Sequence, residues 1–324
     1  MGLTNFPNGI TSFGIPLYGS GNFPYDSPGN HYFVDLTDGS DVINSGKSWD
    51  TAKASIEAGY ALCTTGKNDV LHILGAASGY ASTSVLTLDK DFTHIVGHTA
   101  GIVGGGRVRI TNSVTTATAG EFVHSGTGCV FDNLHFQWGG SATAASLIGL
   151  AISGDGRNMY RGCHFEGPSQ TDIGGAVGQR MVTLTSAQDN TFLGCTFGQR
   201  TIENTSATGA ILSFNGSNNT GNAFKDCLFL SYNTNTASGF VNFVDGAMPG
   251  SGWTLFDNCN FVECAGTVVA DVIRFTTAAS GKVILKNCGL IGENQAVWAT
   301  NFPTTIFNCN PVGAPTGGLG IDPA

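Results

Sequence analysis

Charge is what this sequence has least of: 11% of its 324 residues are Asp, Glu, Lys or Arg. Its 14 basic residues are outnumbered by 23 acidic ones, giving a formal net charge of −9, and Lys and Arg nowhere cluster. Such a surface cannot neutralise phosphates, which excludes nucleic acid as a partner. No run of 18 apolar residues occurs, so no helical membrane span is expected. The opening Met1-Gly2-Leu3-Thr4-Asn5-Phe6-Pro7 has neither a basic n-region nor an apolar h-region. Maturation in a cytoplasm is therefore expected, and Gly2 reads as an ordinary residue rather than a myristoylation site. Runs of good helix formers are scarce too. In their place stand 47 glycines and a hydrophobic fraction of 41%. That is enough apolar matter for a core, which excludes wholesale disorder. With Ser, Thr, Asn and Gly covering the surface, the composition is that of an all-β protein.

Nine cysteines are present, an odd number without a secretion signal, which argues against a disulfide framework. Their spacing says more. Seven segments align: Phe131-Asp-Asn-Leu-His-Phe136, Tyr160-Arg-Gly-Cys-His-Phe165, Phe192-Leu-Gly-Cys-Thr-Phe197, Phe224-Lys-Asp-Cys-Leu-Phe229, Phe256-Asp-Asn-Cys-Asn-Phe261, Leu285-Lys-Asn-Cys-Gly-Leu290 and Ile306-Phe-Asn-Cys-Asn-Pro311. Their fourth positions, Leu134, Cys163, Cys195, Cys227, Cys259, Cys288 and Cys309, lie 29, 32, 32, 32, 29 and 21 residues apart. A period in this range is the signature of a solenoid.

Within the formula apolar-x-[Gly/Asn/Asp]-Cys-x-apolar, a straight strand would point the first and fourth positions to opposite faces. The third position resolves this. Asn133, Gly162, Gly194, Asp226, Asn258, Asn287 and Asn308 are the residue types that tolerate left-handed backbone. One such residue turns a corner, and both flanking apolar side chains then point inward. A second, alternating strand precedes each corner: Leu147–Leu150, Met181–Leu184, Ile211–Phe214, Val241–Phe243 and Val272–Phe275. Coils of this kind stack about 4.8 Å apart, so equivalent residues form ladders. One ladder is Phe131, Tyr160, Phe192, Phe224 and Phe256; another is Phe136, Phe165, Phe197, Phe229 and Phe261. Between them run Cys163, Cys195, Cys227, Cys259 and Cys288, read as small buried hydrophobes with free thiols. Parallel in-register side chains give the wrong dihedral for a disulfide, and inward repetition sets aside a nucleophilic role.

Upstream, Trp49, Ala52, Ile56, Tyr60 and Cys63 fall at helical spacing, with Ser48 or Asp50 able to cap. A helix over about 49–63 is expected to cover the first coil's exposed edge. Strands are expected at Asp69–Leu74, Val85–Val96 and Val108–Ile110. The run Asp35…Gly39-Ser40-Asp41…Gly46-Lys47-Ser48…Thr51-Ala52…Ile56…Asp69-Val70…Ile73 resembles the opening of pectate-lyase-like β-helix proteins. Over residues 33–310 the resemblance implies a right-handed, single-stranded parallel β-helix. That family includes polysaccharide lyases, hydrolases and phage tailspikes, so it implies fold more strongly than activity.

Residues 1–32 differ in kind. Asn5-Phe-Pro-Asn-Gly-Ile-Thr-Ser-Phe-Gly-Ile-Pro16 carries neither the strand nor the helix period, and reads as an extended arm, either disordered or ordered by a partner. It is similar to the opening of structural proteins encoded by tailed phages near their capsid genes. The resemblance implies attachment to the major capsid protein or another virion protein through Asn5, Phe6, Pro7, Ile10, Phe13 and Ile15. Residues 311–324, with Pro311, Pro315 and Pro323, read as an extended tail.

Candidates for chemistry are few. An enzyme on this scaffold would use Glu166, Asp172 and Glu203, but these stand at different offsets from the repeat, as do Glu263 and Glu293. A retaining glycosidase pair needs a separation of about 5 Å and an inverting pair about 6.5–9.5 Å, which the alignment does not impose. His94 and His98 on one strand are about 13 Å apart, too far to share a metal. His135 and His164 share one offset and should stack outside on adjacent coils, able to bind a metal or respond to pH. Thr196 follows them, leaving no third ligand in register. Gly104-Gly105-Gly106 and Gly46-Lys47-Ser48 both lack the context of a phosphate loop.

The expectation is a virion protein without catalytic residues, metal or cofactor: a capsid decoration (cement) or head-fibre protein. A homotrimer is implied by the family. The alternative is a polysaccharide-binding or -degrading tailspike, a glycoside hydrolase or lyase. A host-surface glycan would then lie along Trp138, Glu166, Asp172, Arg180, Arg200, Glu203 and Tyr232.

Overall fold

In the computed structural model the described residues are 11–12, 15–16, 24, 27–82, 84–99, 106–112, 120–139, 147–169, 176, 178–205, 209–235, 239–244, 252–264, 271–275, 281–291, 297–299 and 304–309. Each coil contributes three strands, because the corner divides the repeat segment between two sheets and the alternating segment supplies the third. The coil around Cys163 runs Met159–Arg161, His164–Pro168 and Arg180–Thr185. Stacked coils build three parallel sheets. The first has ten strands, from His31–Asp35 to Thr304–Phe307. The second has eight, from Tyr80–Ser82 to Gly289–Ile291, and the third eight, from Leu86–Leu88 to Val297–Ala299. This is a right-handed parallel β-helix.

The corner formula holds at atomic level. Asn133, Asp226, Asn258, Asn287 and Asn308 have φ between 50° and 57°, and Gly162 and Gly194 have 58° and 61°. Side chains on both sides of the corner turn inward. Phe131, Tyr160, Phe192, Phe224 and Phe256 stack with centroids 4.6–5.0 Å apart. Phe136, Phe165, Phe197, Phe229 and Phe261 stack at 4.7–5.6 Å. Burying each ring stabilises by roughly 1.5–3 kcal/mol, so stability accrues from coil-on-coil stacking. The ladder cysteines are free and buried. Each thiol donates to the carbonyl of the stacked aromatic one coil back: Cys163 to Phe131, Cys195 to Tyr160, Cys227 to Phe192, Cys259 to Phe224 and Cys288 to Phe256, at 3.3–3.5 Å.

A second buried ladder is polar. Asn158, Asn190 and Asn222 sit at the turn entering the first sheet, 32 residues apart and at most 1% exposed. The Asn158 and Asn190 backbone N–H groups donate to the next side chain's Oδ1, and Cys129 N–H donates to Asn158 Oδ1 at 2.8 Å. These amides satisfy turn backbone that the sheets cannot reach.

Three expectations need correction. Val85–Val96 is two strands, Leu86–Leu88 in the third sheet and His94–His98 in the first, because Asp89-Lys90-Asp91 forms the turn between them. The helix over 49–63 is broken into a 3-10 turn, Trp49–Thr51, and a short α-helix, Ile56–Leu62, here α1. Between them Lys53 is extended, exchanging hydrogen bonds with Phe33 O (2.9 Å) and Asp35 N (2.8 Å), while Phe33 N–H donates to Gly46 O. The first strand's edge is thus met by backbone, a stronger demand than helical continuity. The strand itself starts at His31, inside the segment read from sequence as arm, and Asn30 N–H already donates to Asp69 Oδ1. Helix α1 begins with Ser55 Oγ accepting from Ala58 N–H, and buries Ile56, Gly59 and Tyr60. Its C-terminal carbonyls at Tyr60, Ala61 and Cys63 accept from Lys90 Nζ, a cation placed where the helix dipole favours one.

Candidate functional site

The outer face of the second sheet gathers the chain's best-organised polar groups. Arg109, His135, His164 and Thr196 are in register on four successive coils. The His135 and His164 rings stack 4.5 Å apart. Glu166 lies two residues beyond His164, on the same face, and its Oε2 accepts from His135 Nε2 at 2.7 Å. His164 Nε2 donates to Gly198 O at 2.9 Å. Arg109 donates to Ser78 O and Ala77 O, and Arg107 to the Gly162 carbonyl and the Thr196 hydroxyl. The corner at Gly162 makes this possible, since it resets the strand so that His164 and Glu166 face outward while Phe165 faces in.

Electrostatics decide what the cluster can do. Burial would raise the Glu166 carboxyl, but the His135 hydrogen bond and the charges of His135, His164 and Arg109 outweigh it, and the pKa is lowered. Burial, with His135 alongside, drives His164 down to about 4. A general acid in glycoside hydrolysis needs the opposite, a raised carboxyl. Glu166 is held as an anion that orients an imidazole.

The other sequence candidates do not join it. Glu203 is exposed in the loop after Thr196–Gly198, and Asp172 lies outside the described residues. Trp138 is 1% exposed and faces the core. Arg180 Nη1 donates to the neighbouring Gln179 carbonyl, and Arg200 is exposed. Asn5, Phe6, Pro7, Ile10 and Phe13 lie outside the described residues, and Ile15 falls in the two-residue strand Ile15–Pro16, paired with Thr11–Ser12. Among the described residues no three His, Cys, Asp or Glu side chains converge as metal ligands.

Two histidine arrangements escape sequence reasoning. On the outer face of the first sheet, His31 Nδ1 meets His72 Nε2, and His72 Nδ1 meets His98 Nε2, both at 2.7 Å. His31 Nε2 lies 3.2 Å from the Ser27 carbonyl, which can only accept. That orders the donors: His31 donates through Nε2 and accepts at Nδ1 from His72 Nε2, and His72 Nδ1 accepts in turn from His98 Nε2. Burial, with His98 and His31 alongside, lowers His72 to about 3. Inside the solenoid, fully buried His124 shares a 2.5 Å hydrogen bond through Nδ1 with Tyr160 OH. His124 replaces an aliphatic residue in the column of Leu88, Ile152 and Leu184, opposite the one Tyr in a ladder of Phe. Each exception accounts for the other.

No protein-family model and no curated protein matches the sequence. Solved structures do match in fold. A pectin methylesterase in complex with a hexasaccharide superposes with a TM-score of 0.55 at 12% identity, covering 88% of this chain and 90% of that one. A pectin methylesterase from Erwinia chrysanthemi gives 0.54 at 11% identity over 88% and 90%. The pectate lyase Pel9A gives 0.52 at 10% over 84% and 78%. The chain has the pectate-lyase-like β-helix fold. At these identities the likeness is one of fold and leaves activity to the residues themselves. Geobacillus virus E2 ORF18 also matches, at a TM-score of 0.43, too distant to carry an argument for this β-helix.

Proposed function

We propose that the chain is a structural protein of a tailed-phage virion, a capsid decoration or head-fibre protein held through its N-terminal arm. One observation supports the non-catalytic part: the acid candidate Glu166 is held ionised by the hydrogen bond from His135, the wrong state for a general acid. Other charged side chains on the solenoid pair with one another, Arg161 with Asp132 at 2.7 Å and Lys286 with Asp257 at 3.1 Å. The virion part rests on the aperiodic opening segment and its likeness to phage structural proteins. Ser27 and Asn30 bond to Asn68 and Asp69, and a deletion of 1–23 keeps these contacts. The truncated protein should melt like the full chain yet fail to co-sediment with virus particles. Unchanged co-sedimentation contradicts the reading.

A second reading is a polysaccharide-binding surface along the second sheet. It is favoured by the column Arg109, His135 and His164, and by neighbours that act on pectin. Incubation with bacterial capsular polysaccharides separates the two. Steady release of reducing ends, abolished by Glu166→Gln, supports the second reading and sinks the first.

A further inference from the structure

Turn residues in proteins are ordinarily Gly, Asn, Asp, Ser or Pro, each suited to water or to tight backbone. The turn at 41–43 instead presents two adjacent β-branched aliphatics, Val42 and Ile43, at 92% and 84% exposure. Other exposed large apolar residues, Leu74 and Ile291 among them, are 39–55% exposed. Scattered apolar side chains on a surface need no explanation. This pair stands on a platform that does. Asp41 Oδ1 accepts from Ala54 and Ser55 N–H at 2.8 and 3.0 Å, and Lys53 Nζ donates to the Asp41 carbonyl at 3.0 Å. Ser40 Oγ accepts from Ile43 N–H, Ser40 N–H donates to Ala52 O, and Asn44 Nδ2 donates to Ala52 O at 2.8 Å. Six hydrogen bonds hold rigid a turn whose tip gains nothing from the fold.

Position adds the second argument. The turn is carried by the loop that pairs with the free edge of His31–Asp35, the terminal strand of the first sheet. Residues 1–30 join the solenoid at that same strand. The tip and the point where the chain enters the first strand therefore belong to the same terminal coil. The charge around the tip leans acidic: Asp38, Asp41 and Asp50 are exposed, against the exposed Lys47 and the half-buried Lys53, whose ammonium is already held by the Asp41 carbonyl.

We infer that Val42 and Ile43 are a preorganised docking knob for the protein that holds the arm, entering an apolar pocket rimmed by Lys or Arg. The inference rests on the virion reading and adds a second contact to it. A rigid aliphatic anchor loses little entropy on binding, and two contacts on one partner multiply affinity through effective concentration.

The test uses virus particles stripped of this protein, with full-length wild type, the arm deletion lacking 1–23, and a Val42→Asp/Ile43→Asp double variant. Val42→Ser/Ile43→Ser serves as the milder pair should the aspartates disturb folding. Wild type should bind, and the double variant should melt at the wild-type temperature and bind at least tenfold more weakly with its arm intact. Double-variant binding equal to wild type overturns the knob and leaves the virion reading standing. Wild type failing to bind overturns both. Sedimentation of the chain alone covers the remaining occupant: an oligomer that the double variant dissociates would make the knob a contact between copies and overturn the assignment to the arm's partner.

Discussion

Tyr160→Phe is the sharpest single test of how the core is specified. The substitution removes one oxygen from a fully buried ring and leaves the aromatic stack with Phe131 and Phe192 in place. What it takes away is the hydrogen-bond partner of His124 Nδ1, in a ring whose Nε2 already has none. A buried polar group left unsatisfied costs about 1–3 kcal/mol, whereas replacing both partners by apolar groups of similar shape is close to neutral. Tyr160→Phe alone should therefore destabilise by about 1–3 kcal/mol. The double variant His124→Leu/Tyr160→Phe restores the pattern of the neighbouring coils and should recover most of that loss. Urea denaturation of the two single variants, the double variant and wild type closes the cycle, with a coupling of the same size expected. Wild-type stability in Tyr160→Phe, or a double variant as unstable as the single, would refute the argument.

Further outcomes follow from the same geometry. Asn258→Gly should be tolerated, whereas Asn258→Val forces a β-branched residue into φ 55° and should cost about 1–3 kcal/mol in a melting experiment. Asp69→Ala removes a fully buried carboxylate that accepts from Asn30 and Thr64 N–H, and should lower stability by about 2–4 kcal/mol, with the earliest hydrogen exchange at 27–35. Burial holds His124 and His72 down near 3 and His94 and His164 near 4. An unfolded chain protonates these rings from about pH 6.5 downward. Their contribution is complete above that pH and is lost as it falls toward 3–4, so denaturation midpoints should drop steadily between pH 6.5 and 4. A flat profile there would count against it. Native alkylation should label Cys264 first, since it is the one partly exposed thiol among nine and the others are buried.

The repeat made much of this fold readable. A left-handed residue before each ladder Cys fixes both the corner and the inward direction of its neighbours, and sequence order alone displays it at 29–32 residue intervals. The buried Asn158, Asn190 and Asn222 ladder obeys the same period and was legible in principle; Asn simply reads as turn-former before it reads as core. His31, His72 and His98 were not legible. They come from irregular coils, in register at 39 and 24 residues, and meet diagonally across strands, so no fixed interval links them. His124 left one trace, the single Tyr in a Phe ladder. The broken helix around Lys53 was hidden because edge pairing with Phe33 and Asp35 outweighs the helical pattern of the side chains. Glu166 was identified as a candidate, but its charge state depends on His135 one coil away, a contact set by coil stacking.

On the function proposed above, this β-helix is a scaffold carried on a virus particle by its N-terminal end. Imaging the particle at a resolution that traces the coils tests it directly. The solenoid should stand on the particle, with residues 1–23 and the turn at Val42 and Ile43 against the neighbouring virion protein and the Cys309 coil pointing away. Purified particles without this chain, or a solenoid held by its C-terminal coils with the arm free, would contradict it.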